Sequence, residues 1–221
     1  LTIFLVPVLL QAQPVMDQSD VPVEGDQFTY TSATYDSLAL LPTGADAVWD
    51  LSGVQPGSSA VIIMEDPSAT ATPDLFPTAQ VAADGGSVVT FMHADSTGLY
   101  TVGLVESPSI TIHILFSDPE LMLPYPCTLN TTYTDNFAYS YDVNGSPVPG
   151  SGITSFTADG FGTLILPNTT VYNVLKLTGS ENVTETYQGS TYVTLSNEVV
   201  FYKPGNHDYV LKATRQISQV N

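Results

Sequence analysis

The side chains able to do chemistry are few and scattered. His93, His113 and His207 stand far apart, with neither a His-x-His nor a His-Glu-x-x-His spacing. A zinc site would need the fold to gather them. The single cysteine, Cys127, lies between Pro126 and Thr128 with no base nearby, and reads as a small buried apolar residue rather than a nucleophile. No Gly-x-Ser-x-Gly elbow is present to present a hydrolase serine. No glycine-rich phosphate loop leads into a helix. Among the carboxylates, Glu65, Glu106, Glu120, Glu181, Glu185 and Glu198 are the ones that a fold could pair for glycoside hydrolysis. Such a pair needs only to sit roughly 5–9 Å apart, and no sequence spacing selects one. Asp142-x-Asn144-Gly145 opens like a calcium loop, but the later ligands and the closing Glu are missing. Asp17, Asp20, Glu24 and Asp26 could chelate calcium, although an acidic stretch is more often simply solvated. The sequence therefore assigns no catalytic, cofactor-binding or metal-binding residue.

Composition narrows the partners. Four basic residues stand against 22 acidic ones in 221, a formal net charge of −18. Nucleic acid is excluded as a natural partner, because phosphate binding draws on Lys and Arg releasing counterions. Anionic membrane surfaces are disfavoured for the same reason. The acidity reads as solubility in a salty medium. With one cysteine no intrachain disulfide exists, so the chain must rely on its core, which its length permits. Residues 1–12 are apolar and end in Ala12, like the core and cleavage end of a secretory signal peptide, too short to span a bilayer. No later stretch is apolar enough for a transmembrane helix. Export as a soluble protein is the expectation.

The elements that must position any site are strands. Residues 13–27 read as an acidic leader, and 28–217 as an all-β domain with a possible sub-boundary in the proline-rich stretch 118–126. Strands are expected at Phe28 onward, over 37–41 and 47–51 around the turn Pro42-Thr43-Gly44, and over 61–64. Residues 65–79 are expected to form a long loop without period, of functional or mobile character. Further strands follow over 88–92 and 99–105 around the turn Asp95 to Gly98, and over 110–116, where apolar residues alternate. Phe137, Tyr139, Tyr141 and Val143 alternate with smaller residues up to Asn144-Gly145, the strongest turn dipeptide in the chain, in a loop expected to run on through Pro147, Pro149 and Gly150. The clearest strand-turn-strand unit is 159–178, broken at Pro167-Asn168. In its second strand Tyr172 and Val174 face one way and Leu175 and Leu177 the other, which points to a bulge or to a strand covered on both faces. The last strands are 191–195, 199–202 and 209–217. Apolar residues nowhere keep a helical spacing. The fold class is all-β: an antiparallel β-sandwich or a strongly curled antiparallel sheet, with little or no helix.

The order of segments resembles a known group. Val48-Trp49-Asp50-Leu51-Ser52, Leu123-Pro-Tyr-Pro126, Thr132-Tyr-Thr-Asp135, Ala158-Asp-Gly-Phe-Gly-Thr-Leu-Ile-Leu-Pro167, Asn173-Val-Leu-Lys-Leu177 and Phe201-Tyr-Lys-Pro-Gly205 follow one another. This is similar to a family of uncharacterised secreted Bacteroidota proteins, often carrying a C-terminal sorting domain for type IX secretion. The resemblance spans about Phe28 to Arg215 and implies export and an all-β fold, with no catalytic residues to carry over. Lys176 stands where an Arg is usual, and no sorting domain follows Asn221, which implies a shortened chain or another export route. Residues 124–212 more faintly resemble envelope proteins whose curled sheet holds lipid.

Surface chemistry adds little. Asn130, Asn144, Asn168 and Asn182 open Asn-x-Ser/Thr sequons, and Asp36-Ser37-Leu38 and Asp95-Ser96-Thr97 resemble a short O-glycosylation motif. Trp49 reads as a core anchor. Tyr133, Tyr139, Tyr141, Tyr172, Tyr187, Tyr192, Tyr202 and Tyr209 could stack on sugars, but Tyr is also an ordinary sheet residue. Three functions fit these features. The first is a non-catalytic secreted or cell-surface domain for adhesion, surface structure or glycan contact. The second is a binding protein whose curled sheet holds an apolar, lipid-like ligand in a cavity lined by residues such as Phe137, Tyr139, Leu164 and Leu175. A secreted hydrolase is the third. A buried constellation of carboxylates in one cleft would count against the first.

Overall fold

Apolar and polar residues alternate between tight turns along nearly the whole chain, and each such run becomes a strand paired to the next. The computed structural model describes residues 12–34, 41–107 and 110–220. The signal-like stretch 1–11, the Asp36-Ser37 motif and most of the strand expected over 37–41 lie outside them. Twelve strands form among the described residues: β1 (Gln27–Ala33), β2 (Gly44–Asp50), β3 (Pro56–Glu65), β4 (Val81–Asp84), β5 (Val88–Ala94), β6 (Gly98–Glu106), β7 (Ile112–Pro124), β8 (Thr132–Val143), β9 (Ser146–Leu166), β10 (Thr169–Tyr187), β11 (Ser190–Tyr202) and β12 (Tyr209–Val220). Among the described residues the only helical pieces are 3-10 turns at Gln18–Asp20, Pro67–Ala69 and Pro73–Leu75. The fold is all-β.

Short turns dictate the topology, since two strands joined by a tight turn can only pair antiparallel. At Asn144-Gly145 both residues have positive φ (53° and 80°), as do Gln188 and Gly189 (49° and 82°). Both are two-residue hairpins. The resulting order is β1-β3-β4-β5-β6-β7-β8-β9-β10-β11-β12, one meandering antiparallel sheet. β2 alone runs parallel, beside the C-terminal half of β9 where β8 has ended. Of the two arrangements expected, the single curled sheet is the one formed.

The curl brings the two ends of the ladder together without pairing them. The Tyr30 hydroxyl on β1 donates to Asp208 at 2.6 Å, and the Tyr30 and Tyr209 rings stand 4.9 Å apart. His207 meets Asp26 at 2.9 Å. Side chains, not ladder hydrogen bonds, span the seam.

Several segments differ from expectation for identifiable reasons. Residues 13–26 are packed into the fold. Met16 exchanges both backbone hydrogen bonds with Cys127, Asp17 and Asp20 form a reciprocal cap on the first 3-10 turn, and buried Asp20 accepts from the Gly205 amide. Residues 65–79 are anchored: Asp66 caps the turn at Ser68, and Phe76 inserts to stack on Phe91 at 3.9 Å. β7 continues through Pro119 to Pro124, and Glu120 to Pro124 pair with β6 after a register shift. Pro147 and Pro149 lie inside β9 rather than in a loop. β10 pairs with β9 only from Gly150, so the missing proline donors face no partner strand. In β10 the register slips at Asn173, whose φ is +59°, and again at Leu177; the strand is both bulged and covered on each face.

Three cores result among the described residues, the smallest where Phe76 meets Ala82, Phe91 and Val102. The largest fills the base of the curl with Met16, Leu123, Cys127, Phe161, Leu175 and Tyr202 among others. The second lies where β2 covers β9, with Trp49 fully buried against Leu164, Val174 and Phe201, and its indole N–H donating to the Pro42 carbonyl at 2.8 Å.

Candidate ligand cavity inside the curl

The strand period puts alternate residues of β8–β12 on the inner face of the curl. From the registers, Tyr133 faces Phe156, Thr154 faces Glu181, Glu181 faces Ser196, and Glu198 faces Thr214. Glu181 and Glu198 are thus diagonal neighbours, a placement that sets Cα atoms roughly 7–8 Å apart. Above the packed base, this inner face lines a cavity of about 490 Å³ that is partly open to solvent. One part of its wall is apolar or aromatic, including Met64, Met92, Met122, Phe156, Leu177 and Tyr202. The other part carries Glu120, Glu181, Glu198, Asp208 and Lys212.

These charged groups are gathered from four strands and one turn. Lys212 Nζ meets Glu198 at 2.8 Å, and Thr214 donates to the other Glu198 oxygen at 3.3 Å. Thr154 donates to Glu120 at 3.3 Å. Burial, and then the negative charge of Glu181, push the Glu120 carboxyl up to about 7. Burial and Glu198 likewise raise the Glu181 carboxyl, with Lys212 opposing. Burial raises Asp208 against its hydrogen bonds from Tyr30 and the Tyr209 amide. Among the described residues Glu181 has neither a hydrogen bond nor an ion pair, and the Tyr202 hydroxyl is unpartnered in a residue only 7% exposed.

A groove of about 1440 Å³ runs along the seam outside, between β1–β3 and β11–β12. Tyr30, Glu198, Tyr209 and Lys212 belong to both walls.

The other candidates go elsewhere. His93 Nδ1 donates to the Thr78 carbonyl at 3.0 Å, His207 pairs with Asp26, and His113 lies on β7 with Nε2 buried and unpartnered among the described residues. The fold does not gather the three. Cys127 is fully buried and burial lifts its thiol to about 12, a poor nucleophile. Asp142 accepts from the Gly145 amide at 2.6 Å and fixes the hairpin. Asp17 and Asp26 are likewise taken up by local backbone donors, and Asp20 by the Asp17 and Gly205 amides. Of the expected cavity-wall residues, Leu164 packs on Trp49 and Leu175 fills the base core, while Phe137 and Tyr139 stand further along the inner face toward its rim, over Gly152 and Gly150. Burial raises the Tyr139 hydroxyl, which donates to Glu185 at 2.8 Å. Most second-half tyrosines therefore do not form an outer platform; Tyr172, on the bulge, and Tyr192 are the exposed ones.

The site and fold together define a rolled, unclosed all-β sheet with an acidic and apolar interior. Comparison with protein-family models, with characterised proteins and with solved structures finds no match. No helix among the described residues is long and apolar enough to cross a membrane.

Proposed function

We propose that this chain is an extracellular or cell-surface binding domain that holds a small organic molecule inside its rolled sheet. The observation that carries the reading is the cavity above the base core, whose wall combines apolar side chains with a few converging polar groups, the usual make-up of a small-molecule site. Export is supported by the apolar stretch 1–12 and by the resemblance to secreted Bacteroidota proteins. Adhesion or glycan contact through surface tyrosines has less support, because Tyr133, Tyr202 and Tyr209 line the interior.

A secreted hydrolase is the second reading, favoured by one observation. Glu120 titrates near neutrality while neighbouring Glu198 is held by Lys212, and carboxyls in such different environments suit acid–base work. Native mass spectrometry of the chain purified from its producer separates the two. The binding reading expects a co-purifying small mass and no turnover of polysaccharides or esters. A bare chain that turns over one of these substrates would replace binding with hydrolysis.

A further inference from the structure

We propose that the cavity takes an organic ammonium ion, its cationic head among Glu120, Glu181 and Glu198 and its hydrocarbon part against Met64, Met92 and Phe156. This rests on the binding reading above and names the ligand class.

Charge and solvation point to it. Three glutamates and Asp208 face a single lysine in a partly buried space, where unpaired negative charge is costlier than in open water. Lys212 is spent on Glu198, which leaves Glu181 without a partner. Tyr202, only 7% exposed and also in the wall, carries a hydroxyl that makes no hydrogen bond among the described residues and can accept from such a donor. An ammonium group supplies both a positive charge and several N–H donors. Tyr133, Tyr202 and Phe156 present aromatic rings, which attract cations as well as hydrocarbon. An inorganic divalent ion fits less well: among the described residues no three His, Cys, Asp or Glu side chains stand close enough to hold one metal. The apolar part of the wall would also gain nothing from it.

Proton linkage gives the proposal a distinctive signature. The groups facing Glu120 are Glu181 from β10, Glu198 from β11, Lys212 from β12, and Tyr133 and Asp135 from β8. Of these, Glu181 is raised in the same direction, by burial and Glu198. A cation prefers the ionised carboxyls, so binding expels protons and tightens as pH rises toward 8.

The test titrates the full chain calorimetrically with hexylammonium, hexanol and hexanoate at pH 5.5 and 8, each in two buffers of different ionisation enthalpy. The expected result is one saturable site for hexylammonium, at least tenfold tighter at pH 8 than at pH 5.5, with proton release visible as a buffer-dependent heat. Hexanol should bind at least tenfold more weakly and hexanoate not at all. Glu181→Gln removes a carboxylate that holds nothing in the fold and should weaken hexylammonium at least tenfold. Glu120→Gln should abolish most of the proton release. Equal binding of hexanol and hexylammonium, unaffected by Glu181→Gln, would overturn the ammonium class while leaving a binding cavity. Absence of hexylammonium binding beside a co-purifying neutral or anionic mass would do the same. No binding of any probe and no co-purifying mass would overturn the binding reading itself.

Discussion

Glu120 shows what one side chain contributes against the fold that holds it. Its carboxyl titrates near 7 in the folded chain against an ordinary 4.5, with burial as the main cause. Between those pH values the folded state binds more protons than the unfolded state, so this group's contribution falls as pH rises and is least favourable above about 7. The full shift corresponds to roughly 3 kcal/mol, an upper figure for a group that shares its titration with Glu181. Glu120→Gln should therefore raise the unfolding free energy at pH 8 by about 1–3 kcal/mol and change it little at pH 4.5. Urea unfolding at both pH values measures the difference, and an equal effect at the two would refute the assignment. At this scale Cys127 was legible, as a buried apolar side chain. The glutamate cluster was not. Glu120, Glu181 and Glu198 were three of six candidates, and only the rolling of β7 against β10 and β11 brings them to one space.

Among the elements, β2 depends on a single close approach. It lies parallel to β9 because Gly162 lets the Ala47 backbone come where any Cβ would stand. The same contact seats Trp49, and the buried Lys176–Asp159 ion pair, 3.1 Å apart, secures the neighbouring chain. Gly162→Ala should lift β2 from β9, cost about 2–4 kcal/mol through lost packing around Trp49, and shift the emission of this only tryptophan to the red. Fluorescence-monitored denaturation reads both. Unchanged emission would mean that β2 is held some other way. Hairpins were the most legible elements, since Asn144-Gly145 and the Pro167-Asn168 turn announce themselves by residue type. Strand lengths were not. β7 crosses its prolines and β9 starts among two, because a proline is harmful only where a neighbouring strand needs its donor. The 65–79 segment concealed its anchor because one Phe76 among Pro, Ala and Thr has no periodic companions.

The molecule as a whole is a sheet with two free edges held face to face. The all-β class followed from alternation and turn residues alone, whereas rolling over packing into two layers depends on which distant strands meet, and local pattern is silent on that. Tyr30 is the principal tie, through Asp208 and Tyr209. Tyr30→Phe keeps the ring and removes the donor, a loss of about 1–2 kcal/mol at a partly buried carboxyl. Hydrogen exchange should then quicken by about tenfold in β1 and the start of β12, and stay unchanged in β8–β10. Uniform acceleration would show the seam to be part of one global unit. A closed barrel has a girth fixed by its strand count and stagger, and can change it only by breaking a rung. Here the hoop is fastened by side chains instead, so its girth is adjustable: the same wall can grip a slender guest or yield to a bulky one while every backbone rung stays intact.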